Sequence, residues 1–255
     1  MIDPRAIIEP GAKLAANVTV GPFSIIGPEV EIGEGTVIGP HVVLRGPMRM
    51  GKGNKVFQFS SLGEEPQDKK YQGEITTLEI GDNNIFREFT TVSRGTAQDK
   101  GITKIGNDNL FMAYVHVAHD CIVHNHTVFA NNASLAGHVT VQDHVILGGF
   151  VGVHQFCVLG THSFCAGGSI ITKDVLPFTM VSGHPAQPHG LNLVGLKRRG
   201  FSAEVLLNLK QAYKLLYRSD LSLEDALLAI QQLPDSEAIQ TLVTFLQSSV
   251  RSITR

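Results

Sequence analysis

The chain has 255 residues, 43% hydrophobic and 17% charged, with no Trp and a net charge of −2. Its charged share lies below the ~25% usual for soluble proteins, which excludes a disordered, charge-rich chain. With 21 basic against 23 acidic residues, a general polyanion-binding surface has no support, which leaves room only for a local basic patch. Glycine is in excess, 26 residues or about 10% against a usual ~7%. Each glycine costs backbone entropy on folding, so the fold must need it repeatedly. No strict every-third glycine period exists, so collagen is out. No apolar run approaches the ~20 residues that span a bilayer. The start, Met1-Ile2-Asp3-Pro4-Arg5, lacks the pattern of a signal peptide. Cys121, Cys157 and Cys165, odd in number and set among apolar residues, fit core positions in a reducing compartment. The expected setting is the cytoplasm.

From the first residues an aliphatic recurs every six positions: Ile2, Ile8, Leu14, Val20, Ile26, Ile32, Ile38, Leu44, Met50, Val56 and Leu62. The phase breaks over 63–79, returns at Ile80, Phe86 and Val92, and breaks again near 94–104. It then runs from Ile105 through Phe111, Val117, Val123, Phe129, Leu135, Val141, Leu147, Val153, Leu159 and Cys165 to Ile171. A period of six fits neither a 3.6-residue helix nor strand alternation. It predicts a parallel β-helix in which three hexapeptides close a triangular coil of 18 residues, roughly nine coils in all. Gly often follows the aliphatic, as at Gly21, Gly33, Gly39, Gly51 and Gly81, and is expected, with Asn, to turn the corners. The two breaks are expected to protrude as loops that touch ligand or partner.

The hexapeptide phase ends near Pro177. Helical patterning follows, and the sequence divides into coils over 1–184 and a small helical domain over 185–255. Ser202 caps a predicted helix with Val205, Leu206, Leu209, Ala212, Tyr213, Leu216 and Tyr217 on its apolar face. Ser222 and Asp225 form a capping box for a second helix through Leu233. A third starts at Pro234-Asp235-Ser236 and turns Ile239, Leu242, Val243, Leu246 and Val250 inward.

Most of the 11 histidines lie between His116 and His162. The 18-residue register aligns Val117, Leu135 and Val153, and with them His116 and His119-Asp120, Gly137-His138, and His154-Gln155 along one edge. A neutral imidazole suits proton removal from a hydroxyl. A neighbouring carboxylate can orient it, and a corner N–H can stabilise an oxyanion. On a flat strand His119 and Asp120 would point apart; only a corner changes that. A second column, His126, His144 and His162, has no carboxylate or Cys beside it in register and reads as a solvated turn ladder rather than a metal site.

Several segments carry a family resemblance: His116-Val117-Ala118-His119-Asp120-Cys121, Ala130-Asn131-Asn132-Ala133-Ser134-Leu135-Ala136-Gly137-His138 and Val153-His154-Gln155-Phe156-Cys157. Gln67-Asp68-Lys69-Lys70-Tyr71 and Gly195-Leu196-Lys197-Arg198-Arg199-Gly200-Phe201 extend it over the whole chain. The sequence resembles the acyl-ACP–UDP-N-acetylglucosamine O-acyltransferases of lipid A synthesis. The resemblance implies a left-handed coil, a cytoplasmic homotrimer with clefts between neighbouring coils, and no metal or organic cofactor. It also implies transfer of an (R)-3-hydroxyacyl group from acyl carrier protein to the 3-hydroxyl of UDP-GlcNAc. His119 would be the general base, Asp120 its supporting carboxylate, and the Gly137 N–H the oxyanion donor. Asp68, Lys70, His116 and His138, with Gln67 nearby, would hold the sugar and phosphate region. His154, Gln155, Asn192, Arg198 and Arg199 would serve the nucleotide or the phosphopantetheine arm. Gly167 would gauge acyl length. Val194 and Pro185 depart from the family pattern, at positions where an acidic residue and a His are expected. On composition alone Asp68, Lys70 and the basic triplet Lys197-Arg198-Arg199 would pass for solvated charges. Two enzymes built on the same repeat stand as alternatives, a γ-carbonic-anhydrase-like zinc hydratase and the N-acyltransferase of the same pathway. A non-catalytic scaffold would not need the clustered His, Asp and Lys.

Overall fold

A computed structural model describes residues 1–249 and 252–255. Among these, strands of two to four residues stack in parallel into three sheets of nine, eight and ten strands, one on each side of a triangular coil. The ten-stranded sheet ends in two longer strands that leave the coil pattern. In the regular coils each residue pairs with its counterpart one coil on, as in Ile7 with Ile25, Val128 with Ile146 and Gly152 with Ile170. The periodic aliphatics point inward: Val20, Ile26, Ile38, Leu44, Leu62, Phe111, Val117 and Leu135 are all buried in one continuous core. Phe86, Phe111 and Phe129 stack inside it with centroids 4.8 Å apart at each step. The three cysteines are buried and none is in a disulfide, and burial pushes Cys121 and Cys165 up to about 12.

The glycines that follow the aliphatics have a role other than the one expected. The left-handed backbone at the corners is carried mostly by non-glycine residues, among them Phe23, His41, Phe59, Phe89, Tyr114, Asp120, His138 and Phe156. A side chain at Gly33 or Gly51 would instead strike the next coil, 2.7 Å from Gly51 O and 2.8 Å from Gly81 O respectively. Glycine therefore recurs largely because coils approach closely. The left-handed conformation costs an L-residue about 1 kcal/mol, and stacking offsets it. Phe23, His41, Phe59, Phe89 and Tyr114 form a ladder with centroids 4.7–5.3 Å apart.

The two phase breaks are insertions between coils. Ser61 pairs with Thr91 and Thr77 with Ile102, so register partners lie 30 and 25 residues apart where 18 is the rule. The strands extend to Glu64 and resume at Thr77, then reach Ser93 and resume at Ile102, so both loops are shorter than the breaks in phase. An internal ladder of buried amides holds the coils in register across them. Asn54 Oδ1 accepts from Asn84 N and Nδ2 at 2.9 and 3.0 Å, and Asn84 Oδ1 from Asn109 N and Nδ2 at 3.0 and 2.9 Å. Every such contact matches a buried polar group that would otherwise cost about 1–3 kcal/mol.

Past the coils, Thr179–Gly183 and Ala186–Leu191 form an antiparallel hairpin that the sequence pattern did not announce. Residues 184 and 185, where the sequence divides, form its turn. A short helix α1 (Leu193–Arg198) was likewise unforeseen. The next three helices begin at the expected caps: α2 (Ala203–Tyr217) after Ser202, α3 (Leu223–Ile230) after Ser222 and α4 (Glu237–Ser248) after Ser236. Helix α3 ends at Ile230, three residues short of Leu233. Leu206, Leu209, Leu216, Ile230, Ile239 and Leu242 build a second core that continues onto Leu176 and Phe178 at the end of the coils. Val250, expected to point inward, lies outside the described residues. Among the described residues no helix is long and apolar enough to cross a membrane.

Candidate active site

The decisive local feature is the corner at Asp120. Its backbone is left-handed, with φ of 59°, and this swings the carboxylate back toward the preceding residue. His119 Nδ1 and Asp120 Oδ2 lie 2.8 Å apart, the Asp120 side chain wholly buried and the His119 side chain 13% exposed. The carboxylate is held on its other sides by the second inserted loop. Thr96 N donates to Oδ1 at 2.9 Å and Thr96 Oγ1 to Oδ2 at 2.6 Å. Asp120 N donates to Thr103 Oγ1 at 2.8 Å. A carboxylate with its acceptors so occupied orients the imidazole and keeps Nδ1 as the donor, which leaves Nε2 as a base.

Gly137 follows His119 by one coil, and the imidazole lies over it. A Cβ at Gly137 would stand 2.5 Å from His119 Cε1 and 2.8 Å from Nε2, so any other residue would have to displace the imidazole. Among the described residues no acceptor takes the Gly137 N–H. A free donor beside a base is the arrangement that acyl transfer uses for a developing oxyanion.

His138 sits at the next corner position, with φ of 64°. Its ring stacks on Phe156 at 4.4 Å and meets His119 edge-on at 5.1 Å. His138 Nδ1 is 2.8 Å from Asp99 Oδ2. His116 pairs with Thr91, Nδ1 to Oγ1 at 2.8 Å. Burial, and then the nearby His119 charge, hold His116 below the ordinary imidazole range. Asp68 in the first loop accepts from Lys70 N at 2.9 Å. That hydrogen bond lowers the Asp68 pKa, and the Lys70, His119 and His138 charges lower it further. The structure brings together His119, Asp120, Gly137 and His138, with His116 on the adjoining strand, while Lys70 and Gln67 are exposed on the first loop with Asp68. His154 and Gln155 continue the edge one coil on and are exposed. His119, Asp120 and His138 offer donor atoms within 4.8 Å of one another, close enough to hold a metal ion. Each imidazole turns Nδ1 toward a carboxylate, an orientation that a general base and a metal ligand share.

The remaining candidates lie elsewhere on the chain. Asn192 caps α1, accepting from Gly195 N at 3.2 Å and donating through Nδ2 to His162 O at 3.0 Å. Arg198 and Arg199 are exposed at the end of α1. The Arg199 charge acts on His144 and His162, at a different corner from His119. Gly167 is exposed beside Gly149, where an added Cβ would stand 3.3 Å from Gly149 O. Val194 is exposed and Pro185 lies in the hairpin turn.

The sequence reading missed the residues that fasten these groups. Arg94, buried at the neck of the second loop, donates to Gly46 O at 3.0 Å, Gly63 O at 2.7 Å and Tyr71 Oη at 3.1 Å, so it ties the two loops together. Thr96, Asp99 and Thr103 were missed as well. The only available signal was that a break in phase must protrude; nothing in the period says where a protruding loop returns.

A family model described as Udp N-acetylglucosamine O-acyltransferase, Domain 2, matches residues 174–254, and the bacterial transferase hexapeptide model matches 11–46 and 102–137. The acyl-[acyl-carrier-protein]–UDP-N-acetylglucosamine O-acyltransferase of Thiobacillus denitrificans is 57% identical, covering 100% of this chain and 99% of its own. This chain belongs to that O-acyltransferase family. The LpxA structure from Acinetobacter baumannii superposes with a TM-score of 0.97 at 48% identity, covering 100% of this chain and 99% of that one. The Moraxella catarrhalis LpxA structure gives 0.97 at 46% with the same coverage. The fold is accordingly the family's left-handed parallel β-helix followed by a small helical part. Neither the zinc hydratase nor the N-acyltransferase alternative is favoured by these likenesses.

Proposed function

We propose that the protein transfers an (R)-3-hydroxyacyl group from acyl carrier protein to the 3-hydroxyl of UDP-GlcNAc, the first step of lipid A biosynthesis. The observation that carries this reading is the His119–Asp120 pair at 2.8 Å with Gly137 pressed against the imidazole. His119 Nε2 takes the proton of the sugar hydroxyl as its oxygen attacks the thioester carbonyl. The Gly137 N–H receives the oxyanion of the tetrahedral intermediate. Collapse breaks the C–S bond, and the imidazolium returns its proton to the departing phosphopantetheine thiolate. Asp120 stabilises the imidazolium without itself taking the proton. No metal or organic cofactor enters these steps; the acyl group arrives on the carrier's phosphopantetheine.

Asp68, Lys70, His116 and His138, with Gln67, hold the sugar and phosphates. His154, Gln155, Asn192, Arg198 and Arg199 serve the nucleotide and the phosphopantetheine arm, where guanidinium groups suit phosphate. The exposed Arg198 and Arg199 also offer a local basic patch to an acidic carrier protein despite the net charge of −2. Gly167 leaves room for the acyl chain. The base belongs to the coils (1–184) and the arginines to the helical part (185–255), at a different corner. That separation favours a homotrimer in which one copy's corner faces its neighbour's α1. The setting is cytoplasmic.

Incubating the purified protein with UDP-GlcNAc and a panel of hydroxyacyl-ACPs tests the proposal. Formation of the 3-O-acylated sugar nucleotide supports it. Absence of product with every donor, or stoichiometric zinc in active protein, overturns it.

A further inference from the structure

The second inserted loop does more than cover Asp120. Its neck is closed at Gly95, where a Cβ would meet the Ile102 backbone nitrogen, and Gly95 N donates to Thr77 O at 3.2 Å. Beyond the neck, Thr96 O accepts from Asp99 N at 3.3 Å and from Gly101 N at 3.1 Å. One small turn therefore presents two groups side by side. The Thr96 side chain binds Asp120, and the Asp99 carboxylate binds His138 Nδ1 at 2.8 Å. Both imidazoles of the corner are held in the same way, each by a carboxylate at Nδ1. The partner of His119 is its neighbour in sequence; the partner of His138 comes from 39 residues away.

Among the described residues His138 has no other polar side-chain restraint of comparable length. Its Nε2 is 3.9 Å from Asp120 Oδ2, too far for a direct hydrogen bond. The stack on Phe156 fixes the ring plane but leaves two orientations, related by a flip, that exchange the nitrogens with carbons. A carboxylate at Nδ1 selects one orientation and one tautomer. We propose that Asp99 is a positioning residue, whose carboxylate locks His138 with Nδ1 as donor and Nε2 turned into the cleft beside His119. Asp99 touches no reacting atom; it acts through His138, whose Nε2 is thereby aimed at a polar oxygen of the bound sugar nucleotide. This inference rests on the acyl-transfer reading of the corner.

Steady-state kinetics of Asp99→Ala, Asp99→Asn, His138→Ala and the Asp99→Ala/His138→Ala double variant test it. Asp99→Ala lowers kcat/KM for UDP-GlcNAc by roughly ten- to a hundredfold, the range in which misplaced groups act. Asp99→Asn keeps an acceptor for the Nδ1 proton and folds in the same space, so it loses no more than roughly fivefold. In the His138→Ala background, Asp99→Ala costs less than about twofold, because its effect has no route to the substrate. An Asp99→Ala enzyme within twofold of wild type overturns the proposal. So does an Asn variant as impaired as Ala, or a loss undiminished in the His138→Ala background. Nitrogen-15 NMR of the histidine rings reads the pairing whatever the substrate is. A protonated His138 Nδ1 signal in the wild type that is lost in Asp99→Ala supports the lock, and its absence from the wild type overturns it. A wild type with no turnover on UDP-GlcNAc, by contrast, overturns the preceding reading.

Discussion

Two edges of this coil gather histidines and have become different things: His126, His144 and His162 repeat every 18 residues, whereas His119 and His138 lie 19 apart, at adjoining positions of one corner. At the first corner His119 and His138 each face a carboxylate, at 2.8 Å in both cases, and sit against a glycine and an inserted loop. At the other, His126, His144 and His162 stack on one another with centroids 4.9 and 4.6 Å apart, and Phe201 meets the last ring edge-on at 5.1 Å. The ladder is not the fully solvated turn that its sequence suggested. Among the described residues the buried Nδ1 atoms of His144 and His162 have no hydrogen-bond partner, and burial lowers the His162 pKa to about 4. These rings behave as aromatic spacers between the coils and the helical part. The corner backbone is left-handed in both, and the ladder too has a carboxylate in register, Asp108, but its Oδ2 stays 3.9 Å from His126 Nδ1. What separates the two edges is a carboxylate at 2.8 Å on each imidazole, one from the neighbouring residue and one from an insertion.

Removing the rings tests this contrast most severely. His119→Ala is expected to lower kcat by about 10²–10⁴-fold, the usual worth of a general base, while His126→Ala changes it by less than about twofold; equal losses in turnover assays would erase the distinction. Gly137→Ala comes next. Its methyl would displace the His119 ring, for a loss of about 10²-fold in kcat with an unchanged circular dichroism spectrum. Arg94→Ala probes the loops rather than the rings. Losing three hydrogen bonds from a buried guanidinium should cost about 2 kcal/mol in chemical denaturation, and KM should rise as the first loop loosens.

The smallest effect belongs to the ladder. His162 is ordinarily near 6.5 and sits at about 4 in the folded chain. Above pH 6.5 neither state carries its proton, and its contribution is fully present. As pH falls from 6.5 toward 4 the unfolded chain takes up the proton first, so stability drops across that window. His162→Phe keeps the stack and removes the titration. Melting temperatures measured from pH 7 to 4 should therefore fall less steeply in the variant, with turnover unchanged at pH 7.5.

Much of the fold was legible because one constraint repeats. A triangular coil needs an inward aliphatic every six residues, and the chain writes that requirement from Ile2 to Ile171 with two interruptions. Helix caps were legible for a local reason: Ser202, Ser222 and Ser236 each accept from an orphan backbone N–H of the first turn, three residues on in the chain. The hairpin over 179–191 and α1 were not, since both are short and take their stability from the end of the coils. The glycine excess was visible but misread. Its larger cause is contact between successive coils, as at Gly33 and Gly51, and contact across 18 or more residues leaves no local trace.

By itself, then, the sequence determined the coil, its register, the positions of both insertions, and which histidines and carboxylate share the edge at His119. Tertiary structure alone decided how those residues are paired. Whether His119 reaches Asp120 depends on a left-handed corner. Whether Thr96 and Asp99 reach the same corner depends on how a loop folds back over the coil. Periodicity is a local property repeated, and a chain can display it residue by residue. A hydrogen bond from an insertion is a single long-range event, and only the folded molecule records it.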